Sequence, residues 1–253
     1  MYPKVTVITV CFNSAKTVKE TIYSVNSQDY PNIEHLFIDG LSSDNSINII
    51  KKESKKHKII SEKDKGIYDA MNKGIMNSDG DIIFILNSDD IFFDNNTVKN
   101  VVNKFLETKA DFLYGSIMFS KETNIRDYTR SWKVSQYKPK SFLSGWHPPH
   151  PGFVVKKSVY EKISLFDIEL SVAADFELMM RLFELTDFKH VIYKNYVAIL
   201  REGGNSTIIK GIIKGKRDIS RSFEKNNLQP KYYYFFKRYL IKILQKIEYA
   251  FKK

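Results

Sequence analysis

The sequence predicts an α/β fold built on a parallel sheet, and three observations carry that expectation. Short β-branched or apolar runs alternate with amphipathic helical segments across residues 4–87, in the order β-α-β-α-β-α-β. The run Ile82-Ile83-Phe84-Ile85-Leu86 shows no polar alternation, as expected of a strand covered on both faces. Acidic residues recur just after these runs, where the strand ends of a parallel sheet all open on one edge.

Taken in order, Lys4–Val10 is rich in valine, isoleucine and threonine and reads as a strand. Phe12-Asn-Ser14 is a turn, with Ser14 a candidate helix cap, and a helix is expected over 15–27 with Val18, Ile22 and Val25 on one face. His35–Ile38 is the second strand and ends in Asp39-Gly40. Asp44 can cap a helix carrying Ile47, Ile49 and Ile50, and Lys58–Ile60 is a short third strand. A helix over Ile67–Met76 precedes the Ile82–Leu86 strand, which closes on Asn87-Ser88-Asp89-Asp90. Further on come a helix at Thr97–Glu107 and a strand at Asp111–Met118. Residues 120–150 are polar and aromatic without clear periodicity and are expected to form a long functional loop. Gly152–Lys156 and His190–Leu200 read as strands, and Asp175–Leu185 as a strongly apolar helix.

The chain has 253 residues, enough for one large α/β domain or a domain with an appendage. Cys11 is the single cysteine, so no intrachain disulfide can form; this fits a reducing cytoplasm, with Cys11 as a small buried hydrophobe. No signal sequence and no apolar stretch of membrane-spanning length is visible. The net charge of +11 is unevenly spread. Residues 208–253 hold 13 Lys/Arg against 3 Asp/Glu, leaving 27 against 26 in residues 1–207. The chain is therefore divided into a near-neutral body, 1–207, and a basic tail, 208–253, that points to an anionic surface.

Asp39, Asp64 and the Asp89-Asp90 pair can share one crevice at the strand ends. Unpaired buried carboxylates are costly, so a hard divalent cation or a polar ligand is their natural partner. The competing reading makes each of them a turn or a solvated charge. No glycine-rich dinucleotide motif and no P-loop is present. Asp175 opens an otherwise apolar helix and reads either as a first-turn capping acid or as a general base facing the crevice. Arg181 reads as a structural ion-pair residue. Trp146-His147-Pro-Pro-His150-Pro-Gly152 is an ordered loop, because its prolines forbid a regular helix. Trp146 can stack on a sugar, and His147 or His150 can donate to a phosphate or hydroxyl; the plainer reading is a rigid connection on the sheet. Arg201-Glu-Gly203-Gly-Asn-Ser206 is a turn whose glycines allow close approach to a pyrophosphate, with Arg201 balancing charge.

In the tail, Phe236, Leu240, Ile243, Leu244, Ile247 and Phe251 recur at helical spacing, with Lys242, Gln245, Lys246 and Lys253 mostly opposite. A basic helix with aromatic residues is suited to a membrane interface. Packing on the domain or on a second subunit, as in a homodimer, is the alternative.

Together, Val5-Thr-Val-Ile-Thr-Val-Cys-Phe-Asn13, Phe37-Ile-Asp-Gly-Leu-Ser-Ser-Asp44, Asp64-Lys-Gly-Ile-Tyr-Asp-Ala-Met-Asn-Lys-Gly74, Asn87-Ser-Asp-Asp90 and Ala174-Asp175 resemble the inverting glycosyltransferase family 2, in that family's order. His150-Pro-Gly-Phe153 and Gly203–Ser206 resemble its bacterial surface-polysaccharide branch. The resemblance implies the GT-A fold: a mostly parallel, Rossmann-like sheet flanked by helices, here with a C-terminal helical tail. It implies that Thr9, Asp39 and Asp64 contact the base of a UDP-sugar, that Asp89 meets the ribose or the metal, and that Asp90 ligates Mn²⁺ or Mg²⁺. Asp175 would deprotonate an acceptor hydroxyl, with Trp146, His147, His150 and Arg201 near the acceptor or diphosphate. The implied acceptor is a saccharide on polyprenyl pyrophosphate, and the implied location is the cytoplasmic face of the inner membrane. Two departures stand out: Asn87 replaces the first acid of the usual Asp-x-Asp motif, and Ala174 replaces the acid that often precedes the base. A sugar-phosphate nucleotidyltransferase is the competing enzyme reading. A nucleic-acid-binding protein using the tail is the competing non-enzyme reading, and it leaves the strand-end carboxylates unexplained.

Overall fold

The structure, a computed structural model, describes residues 2–55, 57–202 and 209–250. The elements run β1 (Val5–Cys11), α1 (Val18–Asn26), β2 (Ile33–Asp39), α2 (Ser46–Glu53), β3 (His57–Ser61), α3 (Ile67–Asn77), β4 (Ile82–Ile85), β5 (Ile91–Phe92), α4 (Thr97–Thr108), β6 (Phe112–Lys121), β7 (Asn124–Trp132), β8 (Phe153–Lys156), α5 (Lys157–Tyr160), α6 (Ala174–Glu184), β9 (His190–Arg201), α7 (Ile209–Lys225) and α8 (Tyr234–Ala250).

Nine strands form one sheet in the order β3-β2-β1-β4-β8-β6-β9-β5, with β7 on β6. The first four are parallel, and Cys11 lies opposite Asp39, so the carboxyl ends of β1 and β2 are level. β1 and β4 are buried along their whole length, as continuous apolar strands covered on both faces must be. β8 joins β4 antiparallel and leads into a half that mixes both directions, with β6 and β9 parallel.

The expected irregular loop over 120–150 is corrected in part. β7 pairs antiparallel with β6 through Lys121↔Asn124 to Ile117↔Trp132. Register shifts around Phe119, Ser120 and Lys121 break the period-two pattern, and most of β7 is only half-buried, so alternation is muted in the sequence. The proline-rich stretch after it is an ordered connection, as expected, with 3-10 turns at Phe142–Ser144 and His150–Gly152.

The principal core lies between the sheet and α3, α6 and α7. Ile219, Phe223 and Tyr234 are buried in it, and Asp218 accepts a hydrogen bond from Val172 N at 2.8 Å. The beginning of the basic tail thus contributes to the core. α8 turns Tyr234 inward and leaves Phe236, Tyr239, Leu240 and Leu244 exposed. Its remaining side chains named in the tail pattern lie outside the described residues. Among the described residues, no helix is long and apolar enough to cross a membrane.

Candidate active site

The loops after β1, β2 and β4 are bound together. Ser14 and Ser88 share a hydroxyl hydrogen bond of 2.8 Å, and Asn13 N donates to Ser42 Oγ at 2.8 Å while Asn13 Oδ1 accepts from Ser43 N at 2.9 Å. Ser14 therefore ties loops rather than capping a helix; α1 begins only at Val18. Asn13 (φ 50°) and Leu41 (φ 63°) hold left-handed conformations unusual for residues with a side chain, and such positions concentrate where a site dictates the turn.

Asp39 ends β2 fully buried. Its carboxylate accepts from Ser42 Oγ (2.5 Å), Ser42 N (3.0 Å) and Ser61 Oγ (2.7 Å), so it orders the loop and is not open to the crevice. Thr9 is also fully buried and pairs with His35 Nε2 at 3.0 Å; the structure does not bring it to the crevice either. Asp64 is half-buried and accepts from Gly66 N at 2.9 Å. Its other oxygen presses on Gly40, where an added Cβ would lie 2.4 Å away, with the Phe12 ring at 3.4 Å. Phe12 is 65% exposed and offers a flat apolar surface beside Asp64. Sequence reasoning gave Phe12 no role, although it sits inside the first motif.

At the end of β4 the two acids differ. Asp90 is buried; Asn87 Nδ2 donates to one of its oxygens (3.2 Å) and Arg201 N to the other (3.3 Å). Burial, reinforced by the neighbouring Asp89 charge, holds its carboxyl well above the ordinary range. Asp89 is half-buried, and burial raises it too. Asp89, rather than Asp90, is thus the available carboxylate. Beside it, Asn87 Oδ1 is buried without a hydrogen-bond partner. An unpaired amide oxygen beside two acids whose charged forms are disfavoured, one of them accessible, fits a hard divalent cation. Among the described residues no three acidic, histidine or cysteine side chains form a cage, so most ligands of such an ion would come from substrate and water. The Arg201 guanidinium donates to Glu122 O (2.6 Å) and pairs with Glu20, so the side chain is anchored while the backbone N–H of Arg201 meets the Asp90 carboxylate. The Gly203–Ser206 turn lies outside the described residues.

Across the crevice, α6 starts one residue before Asp175. The Tyr68 hydroxyl, on the first turn of α3, lies 3.0 Å from Asp175 Oδ1 and 2.9 Å from Val172 O. Since α3 follows directly on Asp64-Lys-Gly66, this contact joins the Asp64 loop to Asp175. His150 is buried close enough to feel the Asp175 charge, which opposes the downward pull of burial on its imidazole. Phe166 stacks on Tyr68 and meets His150 edge-on. Tyr68 was missed as a site residue; the signal available was its place in the first turn of a helix opened by an acidic loop. Arg181 pairs with Glu177 at 2.7 Å, as expected of a structural residue.

Trp146 and His147 lie elsewhere, beside α8. Trp146 is packed among Tyr114, Tyr137, Phe142 and Phe183, and its Nε1 donates to Ser135 Oγ at 2.9 Å. His147 packs edge-on against Trp132 and Phe176. Both line a cleft of about 180 Å³ with Trp132, Arg238 and Ile241.

A parallel half-sheet whose strand ends carry acids, tied through Tyr68 to a first-turn aspartate on a helix from the second half of the chain, has the GT-A type of fold, and its family match makes the chain a glycosyltransferase. The chain belongs to Glycosyl transferase family 2, whose family profile matches residues 6–164. It is 32% identical over 183 residues to an uncharacterised glycosyltransferase of Mycobacterium tuberculosis, covering 71% of this chain and 68% of the relative. It is 28% identical over 237 residues to a dolichyl N-acetyl-alpha-D-glucosaminyl phosphate 3-beta-D-2,3-diacetamido-2,3-dideoxy-beta-D-glucuronosyltransferase of Methanococcus voltae, covering 83% and 73%. Among solved structures, TarS residues 1–349 of S. aureus align with a TM-score of 0.65 at 17% identity over 87% of this chain, which spans only 65% of that one. The same protein has been crystallised with UDP-GlcNAc (TM-score 0.66, 16% identity, 87% of this chain and 66% of that one). The mannosyltransferase PcManGT of Pyrobaculum calidifontis, in complex with GDP-Man and Mn²⁺, aligns with a TM-score of 0.61 at 18% identity over 89% of this chain and 64% of that one.

Proposed function

We propose that the enzyme transfers a hexose, glucose or galactose, from a UDP-sugar to a hydroxyl of a lipid-linked saccharide, with inversion at the anomeric carbon. The observation that carries this reading is Asp175, held by Tyr68 on the far side of a crevice whose near side offers Asp64, Phe12 and Asp89. Phe12 stacks on the uracil, and Asp64 accepts from its N–H. Asp39 supports that loop from below. Asp89, with Asn87 Oδ1, would hold Mn²⁺ or Mg²⁺, which supplies Lewis-acid stabilisation to the leaving diphosphate. Tyr68 fixes the Asp175 carboxylate, which takes the proton of the attacking acceptor hydroxyl. The new C–O bond forms as the bond to UDP breaks on the opposite face, so a single displacement inverts the centre, as in inverting glycosidases. Structural neighbours crystallised with UDP-GlcNAc and with GDP-Man and Mn²⁺ support a nucleotide-sugar donor and a metal.

The acceptor reading rests on the tail. Phe236, Leu240 and Leu244 form an exposed stripe on a helix rich in lysine, suited to the anionic cytoplasmic face of an inner membrane. An acceptor on polyprenyl pyrophosphate, in assembly of an O-antigen or capsule-type polysaccharide, would be met there. The test is a UDP-sugar panel with a short-chain polyprenyl-diphosphate saccharide, with the product's anomeric configuration read by NMR. A β-linked product from an α-linked donor is expected; a retained α-linkage would end the inverting reading.

A further inference from the structure

Resting on that reading, we infer that the cleft between α8 and the end of β7 is the seat for the acceptor's phosphate or diphosphate group, with Arg238 as its anion-binding residue. The cleft holds about 180 Å³, room for about six waters and so for one diphosphate or sugar ring. Arg238 sits on the inner face of α8. Its Nη1 donates to Tyr234 Oη at 3.0 Å, and its guanidinium lies 5.2 Å from the Phe176 ring centroid. Among the described residues no carboxylate pairs with it. A half-buried guanidinium fixed by a phenol and an aromatic face, yet lacking an anion, is organised for a ligand that brings one, and its fork matches phosphate oxygens.

The surroundings specify which ligand. Trp132 and Ile241 give the cleft an apolar wall, suited to a sugar face or the first isoprene unit. Phe176, under Arg238, directly follows Asp175 on α6, so one helix carries both the base and the ring on which the guanidinium rests. The outer face of the same helix carries the Phe236, Leu240 and Leu244 stripe, so a membrane under α8 puts Arg238 near the depth of lipid phosphates. Gly145 makes the arrangement possible. At φ 92° it lets the first turn of α8 approach; a Cβ there would lie 3.2 Å from Tyr234 O and 3.4 Å from Arg238 N.

The chain's two tryptophans, Trp132 and Trp146, both line this cleft, so intrinsic fluorescence reports it directly. The full chain, first saturated with UDP and Mg²⁺ to fill the donor crevice, is titrated with farnesyl diphosphate and separately with inorganic pyrophosphate. A saturable change is expected with both, tighter for farnesyl diphosphate. Arg238→Gln keeps a planar amide over Phe176 but removes the charge, and should weaken binding by about tenfold or more while Arg238→Lys weakens it less. No change with either probe, or equal affinity in Arg238→Gln, overturns the inference. Equal binding of the two probes would overturn the assignment to a lipid-borne acceptor. UDP should stabilise Arg238→Gln as it does the parent. Binding in the cleft with no sugar transfer from any UDP-sugar would instead remove the proposed function and leave the seat standing.

Discussion

Replacing Gly40 by alanine should weaken UDP binding without unfolding the protein, and the size of the effect follows from one contact. The new Cβ would stand 2.4 Å from Asp64 Oδ2. Ordinary contact is about 3.5 Å, so the carboxylate must withdraw by about 1 Å. It can do so by rotating, because its other oxygen is held only by Gly66 N at 2.9 Å, and the backbone at Gly40 is not in the left-handed region. Folding stability should therefore change by less than about 1 kcal/mol, with the stiffer unfolded chain offsetting the crowding. In the proposed donor pose the rotated carboxylate would no longer meet the uracil N–H. Losing a hydrogen bond to a charged acceptor costs about 1.5–3 kcal/mol, which is about ten- to a hundredfold in Kd. Isothermal titration of UDP into Gly40→Ala and the parent measures it. An unchanged Kd would refute the placement of the base against Asp64.

Asp175→Asn should lower kcat by about 10²–10⁴ with UDP affinity intact, and Tyr68→Phe should lower kcat by a smaller factor with the donor KM unchanged, both read in steady-state assays. Asp89 and Asp90 bear raised pKa values, so the folded state binds protons more readily than the unfolded chain, and stability falls as pH rises above the ordinary carboxylate range. Asp89→Asn should therefore melt higher than the metal-free parent near neutral pH, with the gap closing in acid, and should lose the stabilisation by Mn²⁺; a melting series across pH decides. His35 is buried neutral, with its pKa lowered from 6.5 to about 3. Over that interval only the unfolded chain takes up the proton, so stability drops as pH falls below the ordinary value, and His35→Gln should flatten this limb of a urea-denaturation profile.

Much of the first half was legible because its strands are buried on both faces and its helices carry one apolar stripe, so local pattern and tertiary environment agree. Ile82–Leu86 is the clearest case: five apolar residues, all buried, ending on the acids that define the site. β7 was not legible, because an edge strand with register shifts and half-buried faces carries little alternation. Asp39 reads as a crevice residue from its strand-end position and Thr9 from the resemblance, yet both are fully buried and committed to neighbours. Sequence shows which acids follow strands; it does not show which way each carboxylate turns. The same limit separated Asp89 from Asp90, where two adjacent acids differ in partners contributed by Asn87 and Arg201. Arg238 was hidden for another reason: in a tail crowded with basic residues, nothing local distinguishes the one whose guanidinium turns inward onto Phe176.

We propose that the crevice at the ends of β1, β2 and β4 binds a uridine diphosphate through Asp64 and a metal at Asp89. The most direct measurement is a thermal-denaturation panel of nucleoside diphosphates with and without Mn²⁺, on the parent and on Asp89→Ala. A ligand at about 100 times its Kd adds about 2.7 kcal/mol, which for a chain of this size raises Tm by about 5–10 °C. UDP with Mn²⁺ should give that shift, other diphosphates less, and Asp89→Ala none. A shift by UDP that persists undiminished without metal and in Asp89→Ala, or no shift by any nucleotide, would contradict the claim.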